Sequence, residues 1–162
     1  LLDKNEISLS TDDIDIHEII YRAIENISLQ VEEKGGKIDM ELAAERYEMT
    51  GDEVHLSNVI SNLLDNANKY SPENPQIKVT TESDDKGIYI TIADNGIGMN
   101  SEDIKMIFEK FYRVPTGNVH NIKGFGLGLT YVKAIIDAHH GTIEVKSQPK
   151  KGSQFKLFLP LT

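Results

Sequence analysis

The chain contains no cysteine, which excludes disulfides, thiolate catalysis and cysteine-ligated zinc. No apolar run approaches the roughly 20 residues that a membrane helix needs. The opening Leu1-Leu2-Asp3-Lys4-Asn5 has no basic region followed by an apolar one, so no signal peptide is expected there. Basic residues are scarce: 17 Lys+Arg stand against 26 Asp+Glu, a formal net charge of -9. That balance argues against a nucleic-acid partner, because phosphate backbones want a basic face. What remains is 162 residues, 39% hydrophobic and 27% charged. Such a chain fits one domain able to bury a core, and is neither disordered nor collagen-like.

Residues 1–10 read as the remnant of a linker or helix, and a neighbouring domain is expected before them; residues 11–162 read as the domain. Asp15-x-x-Glu18 is a capping box, followed at helical spacing by Ile16, Ile19, Ile20, Ala23, Ile24, Ile27 and Val31. Gly35-Gly36 stops that helix. Ile38, Met40 and Leu42 alternate, as do Tyr47 and Met49, which suggests a strand pair. Thr50-x-x-Glu53 reads as a second capping box, opening a helix that Ser71-Pro72 ends. Hairpins are expected at 77–81 with 88–92, and at 143–145 with 155–159; short and longer helices are expected over 101–107 and 127–138. Helices mixed with antiparallel hairpins predict an α+β fold: a two-layer sandwich, its mixed and mostly antiparallel sheet covered by helices on one face. Residues 113–126 show no period, and loops of that length are usually lids or disordered.

Three segments carry chemistry. On the second helix, Leu56, Ile60, Leu63 and Ala67 form an apolar stripe, with Asn62, Asn66, Lys69 and Tyr70 about 110° away on a helical wheel. An Asn oxygen suits Mg²⁺, and a Lys one turn on can offset phosphate charge. A solvated helix face explains the same pattern. Next, Ile88–Ala93 runs into Asp94-Asn95-Gly96-Ile97-Gly98, where a carboxylate at a strand end can accept from an exocyclic amine and glycines admit a flat ligand. An ordinary glycine turn would look alike. Last, Gly124-Phe125-Gly126-Leu127-Gly128-Leu129 opens a helix, as phosphate-binding loops do, but its spacing is neither the dinucleotide fingerprint nor a Walker loop. A hinge before a helix is the plain alternative.

Taken in order, these segments resemble the ATP-binding catalytic domain of bacterial sensor histidine kinases, within the gyrase/chaperone/histidine kinase/MutL ATPase superfamily. Residues 62–71 look like its N box, 94–98 its G1 box, 107–113 its F box and 124–129 its G2 box, while Lys151-Gly152-Ser153-Gln154-Phe155 resembles its last glycine motif. The resemblance covers about residues 11 to 162 and implies the Bergerat ATP-binding fold. It further implies that Asp94 takes the adenine amine and that Gly96, Ile97 and Gly98 line the base pocket. Asn66 would ligate Mg²⁺, with Asn62 in support. Lys69 and Arg113 would lie near the phosphates, and Tyr70 would flank the nucleoside. Phe108 and Phe111 would anchor a lid over residues 113–126. The segment Gly124, Phe125, Gly126, Leu127, Gly128 and Leu129 would meet the phosphates through its backbone. ATP and Mg²⁺ are the implied cofactors.

Gyrase-type and MutL-type relatives carry a Glu one turn before the metal-binding Asn, which activates the nucleophile. This chain has Asn62 there, and an amide takes no proton at neutral pH. The resemblance therefore implies transfer of the γ-phosphoryl to a histidine on a dimerisation domain absent from this chain, and through it to a response regulator. An ATP-hydrolysing clamp and a nucleotide-binding module without turnover are the alternatives. His17-Glu18 lacks the basic residue and proline of a phosphoacceptor box, His55 is expected at the surface, and His120 falls in the lid segment. His139-His140 do not read as a metal pair; Gly141 reads as a helix C-cap. By the same resemblance the isolated domain is a cytoplasmic monomer without direct membrane contact. The full-length protein is expected to be a homodimer tethered to the bacterial inner membrane.

Overall fold

A computed structural model describes residues 7–109 and 126–161. Strand β1 (Asp12–Asp15) leads into helix α1 (Ile16–Glu33), whose seven periodic apolar residues are all buried. Asp15 caps the helix, its carboxylate accepting from the Glu18 N–H at 3.0 Å. The Glu18 carboxylate turns to Arg22 and does not complete a reciprocal box. After β2 (Lys37–Leu42) and β3 (Glu48–Gly51), helix α2 (Glu53–Lys69) packs on α1. Strands β4 (Gln76–Ser83) and β5 (Gly87–Asp94) form the first expected hairpin. Helices α3 (Ser101–Met106) and α4 (Gly126–Ala138) precede the closing hairpin of β6 (Thr142–Gln148) and β7 (Gly152–Pro160).

The main sheet runs β2-β4-β5-β7-β6, antiparallel except where β2 pairs parallel with β4. Alternation sends Ile77 and Val79, Ile88, Ile90 and Ile92, and Phe155, Leu157 and Leu159 to the covered face, all buried in the same core as Leu56, Ile60, Leu63 and Ala67 of α2. Each fully buried Ile or Leu contributes about 2 kcal/mol, so this two-layer core can carry local electrostatic costs at a site. The α+β sandwich is therefore as expected, but the pairing of β2 with β3 is not. β3 pairs antiparallel with β1 in a separate two-stranded sheet, and β2 joins the main sheet.

The cap of α2 also differs. Asp52, not Thr50, accepts from the His55 N–H at 3.0 Å, while Thr50 sits within β3. Asp52 is buried; its other oxygen accepts from the Ser10 N–H at 2.8 Å, and its own N–H donates to His139 Nε2 at 3.0 Å. Burial pushes the Asp52 carboxyl up, but the backbone donors His55 and Ser10 outweigh it and hold the group below its ordinary value. Asp52→Ala should cost about 1–3 kcal/mol at pH 7, from a lost cap and orphaned donors. A carboxyl with a depressed pKa stabilises above its unfolded value of 3.8 and loses that contribution as pH falls through its folded value. The gap between variant and wild type in denaturant melts should therefore close in acid; equal stability at pH 7 would rule out the cap.

Helix α4 ends with His140, not Gly141, in the left-handed region at φ 62. Gly141 is required for another reason, since a Cβ there would run into the Phe158 carbonyl oxygen.

Candidate functional site

The last turn of α2 meets the turn after β5 directly. The Ile97 N–H donates to the Tyr70 carbonyl at 2.9 Å, and a Cβ on Gly96 would collide with that same oxygen. Gly98 has φ 69, and a Cβ there would collide with the Gln148 carbonyl at the end of β6. Only glycine permits both approaches. The Lys150 N–H donates to the Ile97 carbonyl at 2.6 Å, closing the turn against the β6–β7 hairpin. Three sequence segments more than 20 residues apart thus form one wall.

Asp94 ends β5 at the centre of that wall. Its Oδ1 accepts from the Gly96 N–H at 2.8 Å and the Ser153 N–H at 3.2 Å. No described residue bonds Oδ2. Burial pushes the carboxyl up to about 6, against the two backbone donors that favour its charge. A part-buried carboxylate with one oxygen fixed and the other unused is poised to accept from a ligand. Ser153 was legible only as part of a glycine motif. Its role depends on the β5–β7 pairing, and that of Ser147, whose hydroxyl accepts from the Met99 N–H at 2.8 Å, on the β6–β7 pairing.

Two open cavities flank the turn. One, of about 570 Å³, is lined by Ser71, Gly96, Ile97, Gly98, Met99 and Lys150 among others. The other, of about 580 Å³, holds Asp94, Ile104, Ser147 and Ser153. On α2, Asn66 is 9% exposed and Asn62 half-buried, so this face is not the solvated one that the pattern alone allows. Neither side chain hydrogen-bonds a described residue. Two buried oxygens at the same helix end, Asn68 Oδ1 and Ser71 Oγ, lack a hydrogen-bond partner among the described residues. Lys69 is half-buried and pairs with Asp65 at 2.8 Å; Tyr70 is half-buried.

Phe108 follows α3, and its carbonyl accepts from Thr130 Oγ1 at 3.2 Å, joining it to α4. Gly126, Leu127, Gly128 and Leu129 open α4, and Leu129, like Phe108, packs against the core. Arg113, Gly124, Phe125, Phe111, His120 and most of the expected lid lie outside the described residues. His55, expected at the surface, is half-buried and bonded to the Tyr131 hydroxyl of α4. His139 is a buried structural residue: Nε2 accepts from Asp52, so Nδ1 carries the proton and donates to the Ile135 carbonyl at 2.8 Å. His17 stacks on Tyr47, its Nε2 2.8 Å from Thr81 Oγ1.

The sequence profile of the histidine kinase-, DNA gyrase B-, and HSP90-like ATPase family matches residues 51–162. This chain belongs to that family. It is 44% identical over 163 aligned positions to the sensor protein RprX of Bacteroides fragilis, covering 99% of this chain and 31% of that protein. The chain thus spans about a third of that curated relative. The catalytic domain of histidine kinase ThkA shares the fold, with a TM-score of 0.82 at 24% identity over 94% of this chain and 98% of that one. The mycobacterial sensor histidine kinase MprB is 28% identical, with a TM-score of 0.76 over 92% of this chain and 96% of that one. The two-layer sandwich is therefore the Bergerat fold of histidine kinase ATPase domains, and the wall around Asp94 lies within the family's match.

Proposed function

We propose that this chain binds Mg-ATP and donates the γ-phosphoryl group to a histidine on a separate dimerisation domain, in two-component signal transduction. The observation that carries the reading is Asp94, whose Oδ2 is left unused while its Oδ1 is held by two backbone donors. A carboxylate so placed selects an amine-bearing base. Gly96, Ile97 and Gly98 give that base a flat wall, and Tyr70 borders it. Asn66, with Asn62 in support, offers amide oxygen to Mg²⁺. Among the described residues no three His, Cys, Asp or Glu gather to hold a metal. That suits a hard cation held by few protein ligands plus phosphates and water. The metal would neutralise charge on the phosphates.

Lys69 and Arg113 would counter the remaining charge. Gly124, Phe125, Gly126, Leu127, Gly128 and Leu129 would present backbone N–H groups, with Phe108 supporting their lid. Asn62 offers no base for water, so the nucleophile comes from outside: the unprotonated nitrogen of a neutral imidazole bonds to phosphorus, the bond to ADP breaks, and the proton on the other ring nitrogen passes to solvent. The partners are the protein's own dimerisation domain and, through it, a response regulator. No described helix is long and apolar enough to cross a membrane. Any tether to the inner membrane belongs to other parts of a dimeric full-length protein, with this domain monomeric and cytoplasmic.

Mixing this chain with a separately made histidine hairpin and γ-labelled ATP tests the reading. Acid-labile, base-stable label on the hairpin is expected. Free phosphate as the main product would favour a hydrolytic clamp, and intact ATP a binding module.

A further inference from the structure

Helix α2 ends without the usual device. Its C-cap, Tyr70, has φ -91, so no left-handed residue turns back to satisfy the last carbonyls. A lysine from another helix supplies a donor instead. Lys34, just past α1, places Nζ 2.7 Å from the Asn68 carbonyl oxygen, which also accepts from the Ser71 N–H at 3.2 Å. A cation at this end also opposes the negative pole of the helix.

The lysine is held at its own end as well. Its N–H donates to the Val31 carbonyl at 3.1 Å, and its carbonyl accepts from the Asn74 N–H at 3.1 Å. The following Gly36 lies against Pro75, where a Cβ would collide with the Pro75 carbonyl. Asn95, beside Asp94, joins the same assembly: its Oδ1 accepts from the Gln76 N–H at 2.9 Å and its Nδ2 donates to the Asn74 carbonyl at 3.3 Å.

We infer that Lys34 is a positioning residue for the phosphate side of the nucleotide site, fixing the last turn of α2 that carries Asn66 and Lys69. The inference rests on the nucleotide reading above. Burial holds the Lys34 ammonium below its ordinary pKa, and the nearby Asp65 opposes that shift. Asp65 is also the 2.8 Å ion-pair partner of Lys69. Without the lysine the Asn68 carbonyl keeps only the longer bond from the Ser71 N–H, and the last turn is held less firmly.

The test compares Lys34→Met, which keeps the apolar stem, with Lys34→Arg, which keeps a cationic donor. Calorimetry on this chain, well below its melting temperature, measures Mg-ADP and adenosine. Lys34→Met should weaken Mg-ADP about tenfold and change adenosine less than twofold, and Lys34→Arg should recover most of the loss. In the ligand-free protein the amide resonances of Tyr70 and Ser71 should shift in Lys34→Met and return towards wild type in Lys34→Arg. Should Lys34→Met not fold, Lys34→Gln is expected to show the same loss confined to ADP. Unchanged Mg-ADP affinity in a destabilised variant would make Lys34 merely structural, and an equal loss for both ligands would also overturn the inference. Wild-type protein that binds neither ligand would defeat the nucleotide reading itself, and this inference with it.

Discussion

Asp94→Asn should make the ligand-free protein more stable above pH 7 while removing most of its affinity for adenine nucleotides. Burial raises the Asp94 carboxyl from 3.8 to about 6. The native state therefore binds more protons than the unfolded state between those values, and stability falls as pH rises through them. Above pH 7 the ionised group costs the fold about 2–3 kcal/mol, one core isoleucine or slightly more. A neutral amide escapes that cost, so the melting temperature should rise by on the order of 5 °C at pH 8 and hardly at all at pH 4.

Binding moves the other way. One oxygen is committed to the Gly96 and Ser153 N–H groups. In asparagine the amide oxygen must take that place, which turns its NH₂ towards the ligand. A donor then faces the adenine amine, also a donor, and the expected loss is about a hundredfold, near 3 kcal/mol. Wild-type affinity for adenosine, which has no phosphate to titrate, should fall as pH drops through about 6. The variant's should stay flat. Unchanged ADP affinity in Asp94→Asn would remove Asp94 from the base pocket.

Asn66→Ala should leave the ligand-free protein nearly as stable as wild type, because no described residue loses a hydrogen bond. The apolar stripe of Leu56, Ile60, Leu63 and Ala67 is untouched. What should disappear is the magnesium-dependent part of the stabilisation by ATP. A ligand at a hundred times its Kd stabilises by about 2.7 kcal/mol, and each tenfold loss in affinity removes about 1.4 kcal/mol of that. Melts with ATP in the presence of Mg²⁺ or of a chelator separate the two. If Asn66→Ala keeps the full magnesium-dependent shift, the side chain is no metal ligand.

The local patterns in the sequence were enough for the helices and both hairpins, because α1 and the isoleucine strands bury one face at a fixed period. Partners separated by long stretches of chain left no such trace. The parallel pairing of β2 with β4 depends on the α2 crossover between them. The cap of α2 fell to Asp52 over Thr50 because its N–H meets His139, 87 residues away, and no spacing rule reports that contact. His55 read as exposed because its partner, Tyr131, lies on another helix. In the site, Asp94, Gly96, Ile97, Gly98 and Tyr70 were legible and stand together. Ser153 and Lys34 leave no pattern, because the one acts through its own backbone N–H and the other on a backbone carbonyl, each against a distant segment.

The nucleotide is proposed to sit against the turn after β5, at the end of α2 and beside the β6–β7 hairpin. An amide NMR titration of this chain with Mg-ADP checks that placement. Saturable shifts are expected at Tyr70, Gly96, Ile97 and Ser153, with little change at Tyr89, Lys156 and Phe158 on the open face of the sheet. Shifts confined to that open face, with the Asp94 turn unmoved, would contradict it.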